Sequence, residues 1–185
     1  MAFIDVIQHE QSEGQLKEIY DGLVESRGKL AEVHKIQSLN PESITNHMDL
    51  YMTIMFKKSP LKRVTREMIA VVVSAANNCT YCQKHHADAV NHYWKDSEKV
   101  EQLKKDYTQL DLSDLERKLC DYAHHLTTNA GPLKESDFIQ PLRDLGLSDR
   151  AILDANMVIS YFNFVNRMVL GLGVQEEDTT GGYKY

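Results

Sequence analysis

Two thiols and an imidazole stand within eight residues in the segment Asn78-Cys79-Thr80-Tyr81-Cys82-Gln83-Lys84-His85-His86. On a helix each residue turns the chain by about 100°, which puts Cys79, Cys82 and His86 at roughly 0°, 300° and 340°. They share one face, while His85 falls near 240° and off it. Two thiols able to close into a disulfide, with a titratable base one turn further on, form a redox-thiol pattern.

The chemistry such a set can do is peroxide reduction. A thiolate attacks the O–O bond and becomes a sulfenic acid, and a second thiol condenses with it to a disulfide, releasing water. Thiols at i and i+3 near a helix start are within reach of each other, and the first turn's free N–H groups favour a thiolate. Cys82, nearer His86, is the expected attacking thiol. Cys79, expected at an exposed helix start, suits resolution and exchange with a thiol reductant. His86 can take the thiol proton, and Glu67, twelve residues before Cys79, can polarise that histidine or a bridging water. No cofactor is needed beyond the cysteine pair.

Two rival readings use the same residues. Cys79, Cys82, Cys120 and His124 could supply a Cys₃His zinc set in a structural or partner-docking helical module. Against it, the Cys-x-x-Cys opens an amphipathic helix rather than a tight turn, and the chain has core enough without a metal. The pair could also serve as a thiol-disulfide relay for another protein. Glu67 taken alone reads as a solvated carboxylate on the polar side of its helix. Cys120 reads as a small buried residue, His124 and His125 as a half-exposed pair, and His85 and His92 as facing solvent. Met48, Met52 and Met55 read as core or subunit interface.

The elements that must position these groups are all helical in period. Leu16, Ile19, Tyr20, Leu23 and Val24 form a stripe after the cap candidate Ser12, and Gly28 ends it. A short element passes through Val33, Ile36 and Leu39 to Asn40-Pro41. Ile44, Met48, Tyr51, Met52 and Met55 mark a helix reaching Lys57. Ser59-Pro60 reads as N-cap and first residue of the next helix, which carries Glu67 and the apolar run from Met68 to Val73. Asn77-Asn78 breaks it, and the cysteine helix follows over 79–94. Further helices are expected over 98–107, from the cap Ser113 through Leu126, from Ser136 to near Gly146, and from the cap Ser148 to about Leu170. Asn129-Ala130-Gly131-Pro132 reads as a turn. No segment alternates with period two, and Val71-Val72-Val73 stays helical in its context. The fold class is all-α. Sliding residues 61–88 onto 147–174 pairs Leu61 with Leu147, Val72 with Val158, Ser74 with Ser160 and Asn77 with Asn163, a faint echo of two related halves.

Composition narrows the setting. At 185 residues the chain fits one domain, with an N-terminal helical extension over about 1–35 and a flexible tail over about 176–185. A net charge of −6 with no Lys/Arg cluster argues against nucleic acid. The start Met1-Ala2-Phe3-Ile4-Asp5 has no basic leader, and the longest apolar run is about half a membrane span. A cytoplasmic location without membrane attachment is expected, where a close cysteine pair is catalytic or metal-binding more often than structural.

Glu67, eleven intervening residues, Cys79-x-x-Cys82, three more residues and His86 together resemble the alkyl hydroperoxidase D-like proteins of the carboxymuconolactone decarboxylase superfamily. Ser38-Leu39-Asn40-Pro41, Arg66-Glu67, Asn78-Cys79-Thr80-Tyr81-Cys82 and Tyr161-Phe162-Asn163-Phe164-Val165-Asn166-Arg167 look like its peroxidase-related branch. The resemblance spans roughly residues 30 to 175. It implies two related helical halves and a homo-oligomer, a dimer building to trimers or hexamers. It further implies a thiol peroxidase in which Cys82 attacks, Cys79 resolves, and Glu67 and His86 relay protons. In well-known members a histidine stands where this chain has Tyr81. A phenol with a pKa near 10 cannot shuttle protons at neutral pH as an imidazole does, so Tyr81 and His85 are accessory candidates at most. The decarboxylase branch lacks the cysteine pair, which argues against lactone decarboxylation.

Overall fold

The computed structural model describes residues 2–129 and 131–177. Among them are nine α-helices and no strand: α1 Gly14–Arg27, α2 Glu32–Lys35, α3 Pro41–Phe56, α4 Arg63–Ala76, α5 Thr80–Trp94, α6 Ser97–Asp106, α7 Asp114–Thr128, α8 Ile139–Asp144 and α9 Asp149–Leu172. The all-α expectation holds. Ala130 of the expected turn, and all but the first two residues of the expected flexible tail, lie outside the described residues.

Helix α4 is the hub, packing against α3, α5, α6, α7 and α9. Every residue from Arg66 to Ser74 is buried, as in a helix enclosed on all sides rather than laid on a surface. A second, smaller apolar cluster of Leu16, Tyr20, Leu23, Ile44 and Met48 fastens α1 onto α3. The N-terminal segment also reaches the far end of the fold, where Phe3 N–H donates to Leu172 O at 2.9 Å.

Several local signals act as the sequence suggests. Pro41 sits in the first turn of α3, Gly28 closes α1 in a left-handed conformation at φ 85°, and Ser113 with Glu116 forms a capping box on α7. Ser148 caps α9 by accepting from Ala151 N–H. Two expected caps do not. Ser12 donates to His9 O, and α1 begins two residues later at Gly14. Ser59 donates to Asp154 Oδ2 at 2.6 Å and accepts from Leu61 N–H. It braces the α3–α4 turn against α9, and α4 itself starts at Arg63.

The break between α4 and α5 is the feature that makes the site. Asn78 takes a left-handed conformation at φ 55°, its N–H donates to Ala75 O, and Cys79 N–H donates to Ser74 O. These two bonds form a Schellman motif, with asparagine in the position glycine usually holds. Cys79 therefore ends α4 and caps α5 at once. The echoed Asn77 and Asn163 touch, Asn77 Nδ2 donating to Asn163 Oδ1 at 3.1 Å. The break has no counterpart in α9, which runs unbroken through the matching stretch.

Candidate active site

Cys79 and Cys82 are free thiols with sulfurs 2.9 Å apart, so closing to a disulfide of about 2.05 Å takes only a small shift. Cys79 is 0% exposed, which corrects the expected exposed position. The residue that follows a Schellman turn packs back onto the helix it terminates, and this one does so. Cys82, in the first turn of α5, borders a cavity of about 550 Å³ that Cys79 does not line. One S–H bridges the two sulfurs. A Cys79 thiolate is favoured by hydrogen bonds from the Cys82 side chain and backbone, so its thiol lies below the ordinary value. The Cys82 thiol is held well above it, because it shares its proton with Cys79 and is buried. A hydrogen bond from Asn166 opposes that rise. Asn166 is oriented for it, since its Oδ1 accepts from Asn77 Nδ2 at 3.2 Å.

Glu67 is 1% exposed, so the solvated-carboxylate reading is wrong. Being four residues after Arg63 aims it at that guanidinium, whose Nε donates to Glu67 Oε1 at 2.7 Å with Nη2 bonding the same oxygen. The other oxygen, Oε2, meets His86 Nδ1 at 2.7 Å. Burial pushes the carboxyl up, but His86 and Arg63 outweigh it and hold Glu67 below its ordinary value. Arg63 also donates to Met55 O, and Arg66 donates to Ile54 O. The same two arginines thus satisfy carbonyls at the end of α3 and tie it to the site. His86 stands one turn after Cys82, its ring edge-on to Phe162 at 4.3 Å between centroids.

Tyr81 is turned away from proton traffic. Its hydroxyl donates to Glu177 Oε1 at 2.7 Å and accepts from Val33 N–H at 3.3 Å. His85 was expected to face solvent, yet it lines the cavity beside Tyr81, at 4.6 Å between centroids. Burial lowers its imidazole to about 4. His92 is exposed at the rim, as expected. Met48 and Met55 are buried and border the cavity.

The zinc set does not assemble. Cys120 is buried in α7 with its thiol pushed up by burial to about 12, and His124 is exposed on the same helix. Among the described residues no three His, Cys, Asp or Glu side chains converge to hold a metal ion.

The carboxymuconolactone decarboxylase family pattern matches residues 41–102, the stretch from α3 to α6 that holds Glu67, Cys79, Cys82 and His86. An uncharacterized peroxidase-related protein from Silicibacter sp. TM1040 superposes with a TM-score of 0.82 at 29% identity, covering 97% of this chain and 91% of its own. The chain has the alkyl hydroperoxidase D-like helical fold, and within it residues 41–102 are similar to the carboxymuconolactone decarboxylase family. An alkylhydroperoxidase AhpD core from Ralstonia eutropha JMP134 shares this alkyl hydroperoxidase D-like fold, with a TM-score of 0.84 at 23% identity over 96% of this chain and 93% of that one. So does the debrominase Bmp8 in complex with 2,3,4-tribromopyrrole, with a TM-score of 0.76 at 20% identity over 94% and 90%. No curated protein matches the chain in sequence. Among the described residues no helix is long and apolar enough to cross a membrane.

Three further groups at the site were given no role by the sequence reading: Arg63, Asn166, and His47 hydrogen-bonded to Tyr161, Tyr161 and Asn166 standing there only as part of the resemblance motif. Only Arg63 carried a local signal, its i, i+4 spacing to Glu67.

Proposed function

We propose that this protein is a thiol peroxidase that reduces organic hydroperoxides through a Cys79–Cys82 disulfide, and hydrogen peroxide less well. The observation that carries the reading is the meeting of two free sulfurs 2.9 Å apart with a cavity bordered by Cys82, Glu67 and His86. Glu67 accepts the Nδ1–H of His86, leaving the other ring nitrogen free as a base for the shared thiol proton. In the resting pair the negative charge favours Cys79. Cys82 nevertheless attacks, because it alone borders the cavity and a proton shift between the sulfurs moves the charge. Cys82 gains oxygen from the hydroperoxide, the alcohol leaves, and Cys79 then displaces water to close the disulfide. Since Cys79 lies behind Cys82, a thiol reductant entering by the cavity attacks the Cys82 sulfur and releases Cys79.

Cavity size supports an organic substrate. About 550 Å³ is in the range of pockets for small organic ligands, far beyond what hydrogen peroxide needs. Tyr51, Phe56, Tyr161 and Phe162 give it ring-bearing walls. The test is turnover of cumene hydroperoxide and of hydrogen peroxide with dithiothreitol as reductant. Wild type should consume the organic substrate faster, and Cys82→Ser neither. Equal consumption by Cys82→Ser refutes the assignment.

The same cavity allows a second reading, reductive dehalogenation, since a debrominase has this fold. There the dithiol and an aryl bromide give the disulfide, the arene and hydrogen bromide. Bromide release from a brominated pyrrole, with no hydroperoxide turnover, would select it.

A further inference from the structure

Bordering the same cavity as Glu67 and His86, a second hydrogen-bonded chain ends on a tyrosine. Gln37 begins it. Its Nε2 donates to Val33 O at 2.8 Å, and because a carbonyl oxygen can only accept, that bond fixes the orientation of the amide. The contact of 2.8 Å between Gln37 Nε2 and His47 Nδ1 is therefore a donation to the histidine. Burial lowers the His47 imidazole to about 4, so it is neutral near pH 7. A neutral imidazole accepting at Nδ1 carries its hydrogen on Nε2. That nitrogen lies 2.6 Å from the Tyr161 hydroxyl oxygen, which must accept. The phenolic hydrogen is left to point elsewhere, and among the described residues it has no acceptor of its own. Tyr161 and Cys82 line the same cavity. Burial holds the Tyr161 phenol well above its ordinary value, so its proton is in place at rest.

We propose that Tyr161 is a catalytic acid of this site, giving its phenolic proton to the oxygen that leaves when a hydroperoxide is cleaved, with His47 as its positioning residue. This rests on the peroxidase reading. The Cys82 thiol passes its proton to His86, and the thiolate attacks the terminal oxygen of RO–OH. The S–O bond forms as the O–O bond breaks, the sulfur losing two electrons to the peroxide. The leaving RO⁻ takes the Tyr161 proton and departs as ROH. The His47 Nε2–H holds the tyrosinate until the proton on His86 restores it through water in the cavity. The sum is Cys82–SH plus ROOH giving Cys82–SOH plus ROH. Tyr81 cannot take this part, because its hydroxyl donates to Glu177.

An acid catalyst matters in proportion to the basicity of the leaving group. In Tyr161→Phe, kcat/KM for tert-butyl hydroperoxide should fall by about 100-fold or more, while peracetic acid, which leaves as acetate and needs no proton, should change by less than about threefold. His47→Leu should show a smaller loss with the same dependence, and His47→Gln, whose amide can still donate to Tyr161, should recover part of it. An equal loss for both oxidants, or none, overturns the proposal while leaving the peroxidase reading intact. No turnover by the wild type with either oxidant removes both. Independently of activity, nitrogen NMR of the reduced protein should find His47 with its hydrogen on Nε2. A hydrogen on Nδ1 contradicts the chain.

Discussion

Replacing Glu67 by glutamine keeps the shape of the side chain and removes its charge, which makes it an informative perturbation. Arg63 directs two donors at Oε1, so the glutamine oxygen must face Arg63 and its NH₂ group must face His86. At the 2.7 Å separation seen for Glu67 and His86, that amide can only donate to Nδ1. The imidazole must then move its hydrogen to the other nitrogen, and the lone pair offered to the thiol is lost. Losing a positioned general base costs about 10²- to 10⁴-fold in rate. Hydrogen bonds to a charged group contribute about 1.5–3 kcal/mol, so stability should fall by a similar amount, or about 3–12 °C in a chain of this size. Stopped-flow oxidation of the dithiol by cumene hydroperoxide reads the rate, and thermal melting reads the stability. Oxidation within about threefold of wild type, in a variant whose His86 tautomer has flipped by NMR, refutes the reasoning.

Other outcomes follow from the same geometry. Cys79→Ser should still be oxidised, leaving a Cys82 sulfenic acid that dimedone labels, since no resolving thiol remains; absence of the adduct at Cys82 contradicts the order of attack. Asn78→Gly should be neutral or slightly stabilising, whereas Asn78→Val, forced into a left-handed conformation, should cost about 1–2 kcal/mol and slow disulfide formation, as denaturant melts and peroxide titration will tell. Stability should also fall as pH drops. The imidazoles of His34 and His47 are lowered by burial to about 3 and about 4. Below about 6.5 the unfolded chain therefore takes up protons that the folded one refuses, and stability is lost down to those folded values. Glu67, held below its ordinary 4.5, contributes stability above that pH and loses it only as pH falls further. Melting followed from pH 8 to 4 should show this loss, and a flat profile contradicts it.

The elements of the fold were legible because helical period and cap chemistry are local. Pro41, Gly28, Ser113 and Ser148 each mark an end that the structure uses. The contacts of Cys79 were less so. Periodicity saw the start of α5, but not that Asn78 would close a Schellman turn and fold the thiol inward. Glu67 was misplaced for a similar reason. A carboxylate immediately before an apolar run reads as solvated until the guanidinium four residues earlier and the imidazole nineteen residues later are brought to it. His47 and Tyr161 are 114 positions apart, and no spacing rule links them. Asn166 reaches Cys82 only because α9 packs along α4. The sequence pattern thus located the sulfurs and the nearest base, while the groups that set their charge come from tertiary packing.

The most direct test is mass spectrometry of the peptide spanning Cys79 and Cys82 before and after one equivalent of organic hydroperoxide. The mass should fall by two hydrogens, with one alcohol formed per chain, and dithiothreitol should restore it. Unchanged thiols, or oxygen added to Cys82 with no disulfide to Cys79, would contradict the account.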